Sequence, residues 1–330
     1  MNKCLGCGSL LQRKSIEEDG YINEKNLNQG LCERCFRIKH YGEYKKTNKE
    51  NNDFKKILNS ISKTNDLVVL VVDIFNLNKD INKIINHLNN NILLVLTKRD
   101  ILPLSVSNDK LLNYSAFNNQ KIVDKIIISS NKNMGLDELY EKINLHKKSK
   151  NVYIVGYTNA GKSTLINKII YNYSDLKREI TTSMYSSTTL NTIEISINNN
   201  LTIIDTPGIL DDGNILDYVD LKTMKKIIPK KEIKTITYQV KELQTILIDD
   251  IVKIVIEDSN NLTFYISNNL KINRFYKDKE LKNLVKNRLR IKENSDIVIS
   301  GLGFIKTTNS GIVDVYTIPG VDVYTRNNLI

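Results

Sequence analysis

Apolar and polar positions in this chain fall into blocks of strand and helix length. Residues 67–72 read LVVLVV and end in Asp73, an unbroken apolar run suited to a strand covered on both faces. Ile81, Ile84, Ile85 and Leu88 follow at helical spacing. Residues 92–96, 125–128, 152–155 and 201–204 are further short apolar or β-branched runs, and helical patterns cover 136–145 and 162–171. Strand and helix therefore alternate, which predicts a parallel sheet with helices on both faces. Beyond residue 214 the pattern changes. Residues 251–256, 297–299 and 312–318 are β-branched and bounded by Asn, Gly or Ser, and read as short strands. Leu281, Leu284, Val285 and Leu289 recur at i, i+3, i+4 and i+8, which predicts one amphipathic helix. The C-terminal region is expected to be a small α+β domain.

Chemistry sits where strands end. The run 152–155 leads into GYTNAGKS at residues 156–163, and a predicted helix leaves it. This strand–loop–helix context makes the pattern a phosphate-binding loop rather than a glycine-containing surface turn. Gly156 and Gly161 permit the tight path, with Ala160 and Thr164 in the same wrap of backbone around the phosphates. Lys162 is placed to reach the β- and γ-phosphates, and the Ser163 hydroxyl to ligate Mg²⁺. Asp205-Thr206-Pro207-Gly208 comes directly after a strand and has the form of a magnesium and γ-phosphate sensor.

The guanine-reading tetrad stands upstream of that loop, as Thr97-Lys98-Arg99-Asp100, and none occurs after residue 208. The Asp100 carboxylate can accept from both N1–H and the exocyclic amine of guanine, a donor pair that adenine lacks. Lys98 would pack along the base, and the Thr97 hydroxyl would brace the loop. Ser129 and Ser130, just past the strand 125–128, would offer a backbone N–H to guanine O6. The order tetrad, phosphate loop, sensor is that of a circularly permuted GTPase, binding GTP or GDP. The permutation leaves the second switch as the last GTPase segment, joined directly to the C-terminal region.

Residues 181–190 read TTSMYSSTTL, and Thr188 or Thr189 is the candidate switch threonine on Mg²⁺. Thr188, Thr189, Lys162, Asp205 and Gly208 form the expected catalytic set. Ile209 comes after Gly208, and an apolar side chain cannot orient an attacking water as glutamine does. Asn159 is a candidate ligand for K⁺ against the phosphates; the alternative is that it only caps its loop.

All four cysteines lie in the first 35 residues, as Cys4-x2-Cys7 and Cys32-x2-Cys35. Two such knuckles read as a closed tetrahedral Zn²⁺ site of a structural kind, resembling a zinc ribbon. The expected organisation is a zinc module at 1–42, a GTPase domain at 43–214 and the C-terminal domain at 215–330. No run is long enough to span a bilayer, and the N-terminus lacks a signal-peptide apolar segment. The expectation is a cytoplasmic protein without a membrane partner, its oligomeric state left open.

Net charge is +11, which favours a polyanionic partner. The cations cluster. Residues 271–292 carry nine Lys or Arg against two acids, and 222–234 carry six lysines against one. On the predicted helix Lys282, Lys286 and Arg290 would share a solvent face, with Lys271 and Arg274 preceding it. These five are the candidate RNA-binding residues, acting through phosphates rather than base reading. Tyr265, Phe275 and Tyr276 could stack on bases, but read as core positions beside apolar runs.

The four-cysteine module ending in CERCFRIKHYG, the permuted tetrad, GYTNAGKST, the switch ending in TTL, DTPG and the terminal GLGFIKTTNSGIVDVYTIPGVDVYTR together resemble the YqeH-type circularly permuted GTPases. The resemblance covers nearly the whole chain. It implies a GTPase that assists assembly of the small ribosomal subunit or its precursor, with a C-terminal domain contacting RNA or the ribosome. Asn76, Ser186-Ser187, Thr97 and Ser130 depart from the family pattern, and none removes a phosphate or magnesium ligand. The rival readings are a potassium-assisted GTPase serving RNA modification and a nucleotide-insensitive RNA-binding module.

Overall fold

The computed structural model describes residues 10–14, 20–22, 32, 51–77, 79–174, 186–187 and 192–330. Strands β1 (Leu67–Asp73) and β2 (Ile92–Thr97) are buried at every position, as their unbroken apolar runs require. They belong to a seven-stranded sheet of order β3-β2-β1-β4-β7-β6-β5, with β3 at Ile122–Ile127, β4 at Asn151–Gly156, β5 at Ser186–Ser187, β6 at Ile193–Asn198 and β7 at Leu201–Asp205. Pairing is parallel from β3 across to β7, while β6 and β5 run antiparallel.

Even and odd positions of β1 feed different cores. Val68, Leu70 and Val72 pack with helices α1 (Asn51–Ile61) and α2 (Ile81–His87). Leu67, Val69 and Val71 pack with α4 (Leu136–His146) and α5 (Lys162–Tyr173). A short helix, α3, spans Asn108–Leu112. The predicted strands and helices of this half are all present, with ends shifted by one to three residues.

The C-terminal region departs from expectation. After Asp205 the described residues contain one α-helix, α6 (Leu221–Ile227), and ten strands. These form two five-stranded antiparallel sheets. One has the order β12-β9-β10-β16-β13, with β12 at Ile272–Phe275, β9 at Thr245–Ile248, β10 at Val252–Ile256, β16 at Gly311–Thr317 and β13 at Val285–Ile291. The other runs β17-β14-β15-β11-β8, with β17 at Val323–Asn327, β14 at Ser295–Ile299, β15 at Gly303–Thr307, β11 at Asn260–Ile266 and β8 at Ile236–Val240. Ile246, Ile254 and Val313 from the first share a core with Leu262, Phe264, Ile297 and Ile305 from the second.

The α+β assignment is thereby corrected to a β-sandwich, and the amphipathic helix at 281–289 does not form. Residues 285–291 also carry a period of two. Asn287, Leu289 and Ile291 face inward while Lys286, Arg288 and Arg290 are exposed. β16 decides between the two periods by supplying a paired partner, with Lys286 opposite Tyr316 and Arg288 opposite Asp314.

The last strand is tied down by charge. Arg326 on β17 donates through Nε to Asp296 Oδ2 at 3.0 Å, and Asp296 is fully buried. The guanidinium also lies 4.7 Å from the Phe304 ring centroid. Removing one partner of a buried pair strands the other charge. Arg326→Leu is expected to lower the unfolding free energy by about 3–5 kcal/mol in urea denaturation. Adding Asp296→Leu should recover most of that loss, because no isolated charge remains.

Candidate functional site

The sheet reverses direction of growth between β1 and β4. From β1 the chain builds outward through β2 to β3, and from β4 it builds to β7 and β6 on the other side. The crevice at the carboxyl ends of strands beside such a reversal is where open α/β sheets bind ligands. Asp73, Thr97, Gly156 and Asp205 are the last residues of β1, β2, β4 and β7, so all four reach this edge.

The phosphate loop runs from Gly156 to α5. A Cβ on Gly156 would lie 2.4 Å from the Val71 carbonyl oxygen of β1, so only glycine lets these strands approach. Asn159 is exposed and left-handed at φ 62°, Ala160 is buried, and Ser163 and Thr164 are exposed at the first turn of α5. Lys162 is buried, its Nζ 3.4 Å from the Gly156 carbonyl, and burial lowers its pKa against the pull of Asp205. A Cβ on Gly208 would meet this ammonium at 3.2 Å. Lys162, Asp205 and Gly208 therefore converge.

The tetrad is tied to the phosphate loop by one hydroxyl. Thr97 Oγ1 lies 2.7 Å from the Ala160 carbonyl and 3.2 Å from that of Val72, both acceptors for its proton. Lys98 is left-handed at φ 63°, and its ammonium is 2.7 Å from Asp73 Oδ2. Asp73 also accepts from the Phe75 N–H at 2.9 Å and from Asn76 Nδ2 at 3.2 Å. Asp73 is thus a positioning residue that motif reading did not single out; its signal was a carboxylate closing a buried strand at the ligand edge. Asp100 Oδ1 accepts from Ser129 Oγ at 2.6 Å. Ser129 and Met134 exchange backbone hydrogen bonds, which closes the loop, and Ser130 Oγ is buried without a partner. All the predicted base-side residues are gathered here.

Asp205 Oδ1 is buried and takes no hydrogen bond. A hard oxygen held dry beside the phosphate loop fits Mg²⁺, with Ser163 as the neighbouring hydroxyl. When bound, the ion would neutralise charge on the phosphate oxygens. Thr188 and Thr189 lie outside the described residues, as do Cys4, Cys7 and Cys35; Cys32 is described and buried. Ile209 is 8% exposed and belongs to the core. Its backbone does the joining. Ile209 donates to Gly156 at 3.1 Å and accepts from Thr158 at 2.8 Å.

The five predicted RNA-binding cations are not on one surface. Lys271 and Arg274 lie at the β12 edge of their sheet, and Lys286 and Arg290 on β13 at the opposite edge, roughly 19 Å away at strand spacing. Lys286 is also 2.6 Å from Asp314 Oδ2 and is not a free cation. Lys282 is exposed in the turn before β13. The shared helical face is withdrawn with the helix that carried it.

The site generates two expectations for nucleotide binding. Thr97→Val removes the hydroxyl that bonds the base loop to the phosphate loop. GDP affinity should fall about ten-fold in a fluorescent-nucleotide titration, while Thr97→Ser should keep it. Burial pushes the Asp205 pKa up to about 6, against Lys162, from a usual 3.8. A raised carboxyl pKa means that the nucleotide-free fold retains a proton there and loses stability as pH rises from about 4 to 6. Mg²⁺ needs the carboxylate, so Mg²⁺-GDP affinity should decline as pH falls through about 6, approaching ten-fold per unit. Calorimetry across that range reads both the affinity and the released proton.

A family model described as RsgA GTPase matches residues 48–213, and one described as 50S ribosome-binding GTPase matches 151–300. The chain is 27% identical to the chloroplastic GTP-binding protein Brassinazole Insensitive Pale Green 2 of Arabidopsis thaliana over 150 residues, 44% of this chain and 23% of that one. It is 34% identical to the uncharacterized protein YqeH of Bacillus subtilis (strain 168), over 99% of both chains. Similarity of that extent, on a sheet whose nucleotide motifs run in permuted order, makes the chain a member of the YqeH family of circularly permuted GTPases, enzymes that hydrolyse GTP.

Proposed function

We propose that the protein is a GTP-driven assembly factor for the small ribosomal subunit, in which the second switch controls how the C-terminal sandwich meets rRNA. The observation that carries this reading is the junction just past Gly208. Asp211 Oδ2 accepts from Asn214 Nδ2 at 3.0 Å and from Ser300 Oγ at 3.1 Å. Ile215 donates to the Ser300 carbonyl at 2.9 Å, and Asp322 donates to the Gly213 carbonyl at 2.9 Å. The segment leaving the γ-phosphate sensor is thus bonded to the loop after β14 and to the approach of β17. A change at Gly208 has a short covalent and hydrogen-bonded route into the sandwich.

In this reading residues 1–42 form a zinc module held by Cys4, Cys7, Cys32 and Cys35, residues 43–214 the GTPase and residues 215–330 the rRNA-contacting domain. Thr188 or Thr189 completes the Mg²⁺ site when GTP is bound. Asn159 holds K⁺ against the phosphates, where its charge assists hydrolysis in the absence of a water-orienting side chain at Ile209. The description of one matching family names the large subunit, so both subunits belong in the test. No helix among the described residues is long and apolar enough to cross a membrane, and the site of action proposed is the cytoplasm.

Purified protein sedimented with separated subunits is expected to comigrate with the small one, to an extent that differs between GDP and a non-hydrolysable GTP analogue. Asp211→Ala should retain GTP binding yet bind subunits equally in both nucleotide states. Comigration with the large subunit alone, or with neither, would overturn the small-subunit reading and leave the GTPase intact. Zinc content of the purified chain, and hydrolysis in potassium against sodium, check the two remaining ions.

A further inference from the structure

Two sheet edges meet at an aromatic stack. β8 and β12 are the outer strands of different sheets, and Arg274 on β12 joins them by donating through Nη1 to the Gln239 carbonyl of β8 at 3.1 Å. Its guanidinium lies between two tyrosines, 5.6 Å from the Tyr238 ring centroid and 5.2 Å from that of Tyr276. Nη2 donates to the Tyr276 hydroxyl at 2.9 Å, which holds that ring in place. Tyr238 in turn meets Phe264 of the core edge-on at 6.0 Å. The stack thus starts in the sandwich core and ends on Tyr276, which is 71% exposed. Beside it the Lys279 ammonium is 4.6 Å from the centroid of the half-buried Phe275.

Exposed cations flank the stack along the chain. Lys271, Lys277, Lys279 and Lys282 are open to solvent within one segment. The acids in that segment are Asp278 and Glu280, and Asp278 is engaged by Lys253 of β10 at 2.6 Å. An aromatic face prepositioned by a cation, with ammonium groups around it, fits a ligand that alternates planar rings with negative charge. An unpaired nucleic-acid strand is such a ligand, whereas a duplex keeps its bases stacked on one another.

We propose that the β8–β12 edge is a platform for unpaired RNA, on which a base continues the stack over Tyr276 while Lys277, Lys279 and Lys271 take flanking phosphates. The inference rests on the rRNA-contacting role proposed above and gives that role a place, which the sequence had spread over both edges of the sheet. Recognition is sequence-tolerant in its stacking part, since every base presents a π-face.

The test uses the full-length chain with a fluorescent single-stranded oligouridine of about twelve nucleotides and an RNA duplex of equal length, read by anisotropy. Wild type is expected to prefer the single strand. Tyr276→Ala should weaken it about ten-fold or more, and Tyr276→Phe, which keeps the ring, should weaken it far less. Lys277→Glu with Lys279→Glu should weaken it and reduce the salt dependence by about two counterions, while Arg290→Glu at the far edge should change neither. Unchanged affinity in Tyr276→Ala, preference for the duplex, or binding of an extended peptide but no RNA would overturn the platform. Subunit sedimentation of the same variants separates the two claims. Comigration that survives Tyr276→Ala removes the platform but not the ribosomal reading, whereas failure of wild type to comigrate with either subunit removes that reading too.

Discussion

The close parallel pairing of β1 with β4 is the constraint on which the nucleotide site depends. In sequence these strands belong to different halves of a permuted domain, one ending in Asp73, which holds Lys98 of the base-reading tetrad, and the other leading into the phosphate loop. In space they are neighbours in register, Leu67 beside Val152 and Val71 beside Gly156. At Gly156 the approach leaves no room for a side chain. The Thr97 hydroxyl completes the join one layer above, reaching from the tetrad to the Ala160 carbonyl. Base recognition and phosphate recognition are set at a fixed separation by that seam, and GTP must span it.

The C-terminal sandwich touches both sides of the seam. On the base side Lys98 is held by Asp73, and the next residues carry Phe75, whose ring lies 6.3 Å from that of Phe304 on β15. Gly303 makes this contact possible, because a Cβ there would meet the Phe75 ring at 2.9 Å. Tyr324 donates to the Leu77 carbonyl at 2.9 Å, and Lys79 is 2.6 Å from Asp322. On the phosphate side the contacts are those of Asp211 and Gly213. Asp322 serves both, through its carboxylate on one side and its backbone on the other. Permutation is what allows this arrangement, since the second switch ends the GTPase and runs straight into the sandwich.

Charge in the sandwich is less free than its composition suggests. Arg288 is 2.7 Å from Glu257, Lys286 is 2.6 Å from Asp314, and Lys253 is largely buried against Asp278 and the Tyr316 ring. Cations paired in this way hold strands together and contribute little field at a distance. Where acids are scarce, at β12 and the turn after it, the positive charge stays open to solvent. A count of lysines along the chain could not separate these two populations, because the pairing acids come from β16, the residue after β10 and the turn after β12.

How much of this was legible varies with the range of the interactions involved. The permuted GTPase core was readable because its signals are local. A buried parallel strand needs an unbroken apolar run, a phosphate loop needs its glycines and lysine at fixed spacing, and both appear in consecutive residues such as 67–73 and 156–163. Asp73 was passed over because its meaning comes from Lys98, a residue 25 positions away just past the end of the next strand. The stretch 281–291 supports a helical period and a strand period at once, so its own residues could not choose. β16 chose, by offering hydrogen bonds and Asp314 opposite Arg288. Tyr276 was likewise read as core, because exposure is a property of what packs nearby and not of the residue. By itself the sequence determined the sheet's contents, the order of the motifs and the chemistry each motif carries. The tertiary structure alone decided the sandwich, the partners of cations such as Lys286 and Arg288, and the surface left open, since those are settled by contacts between strands distant along the chain.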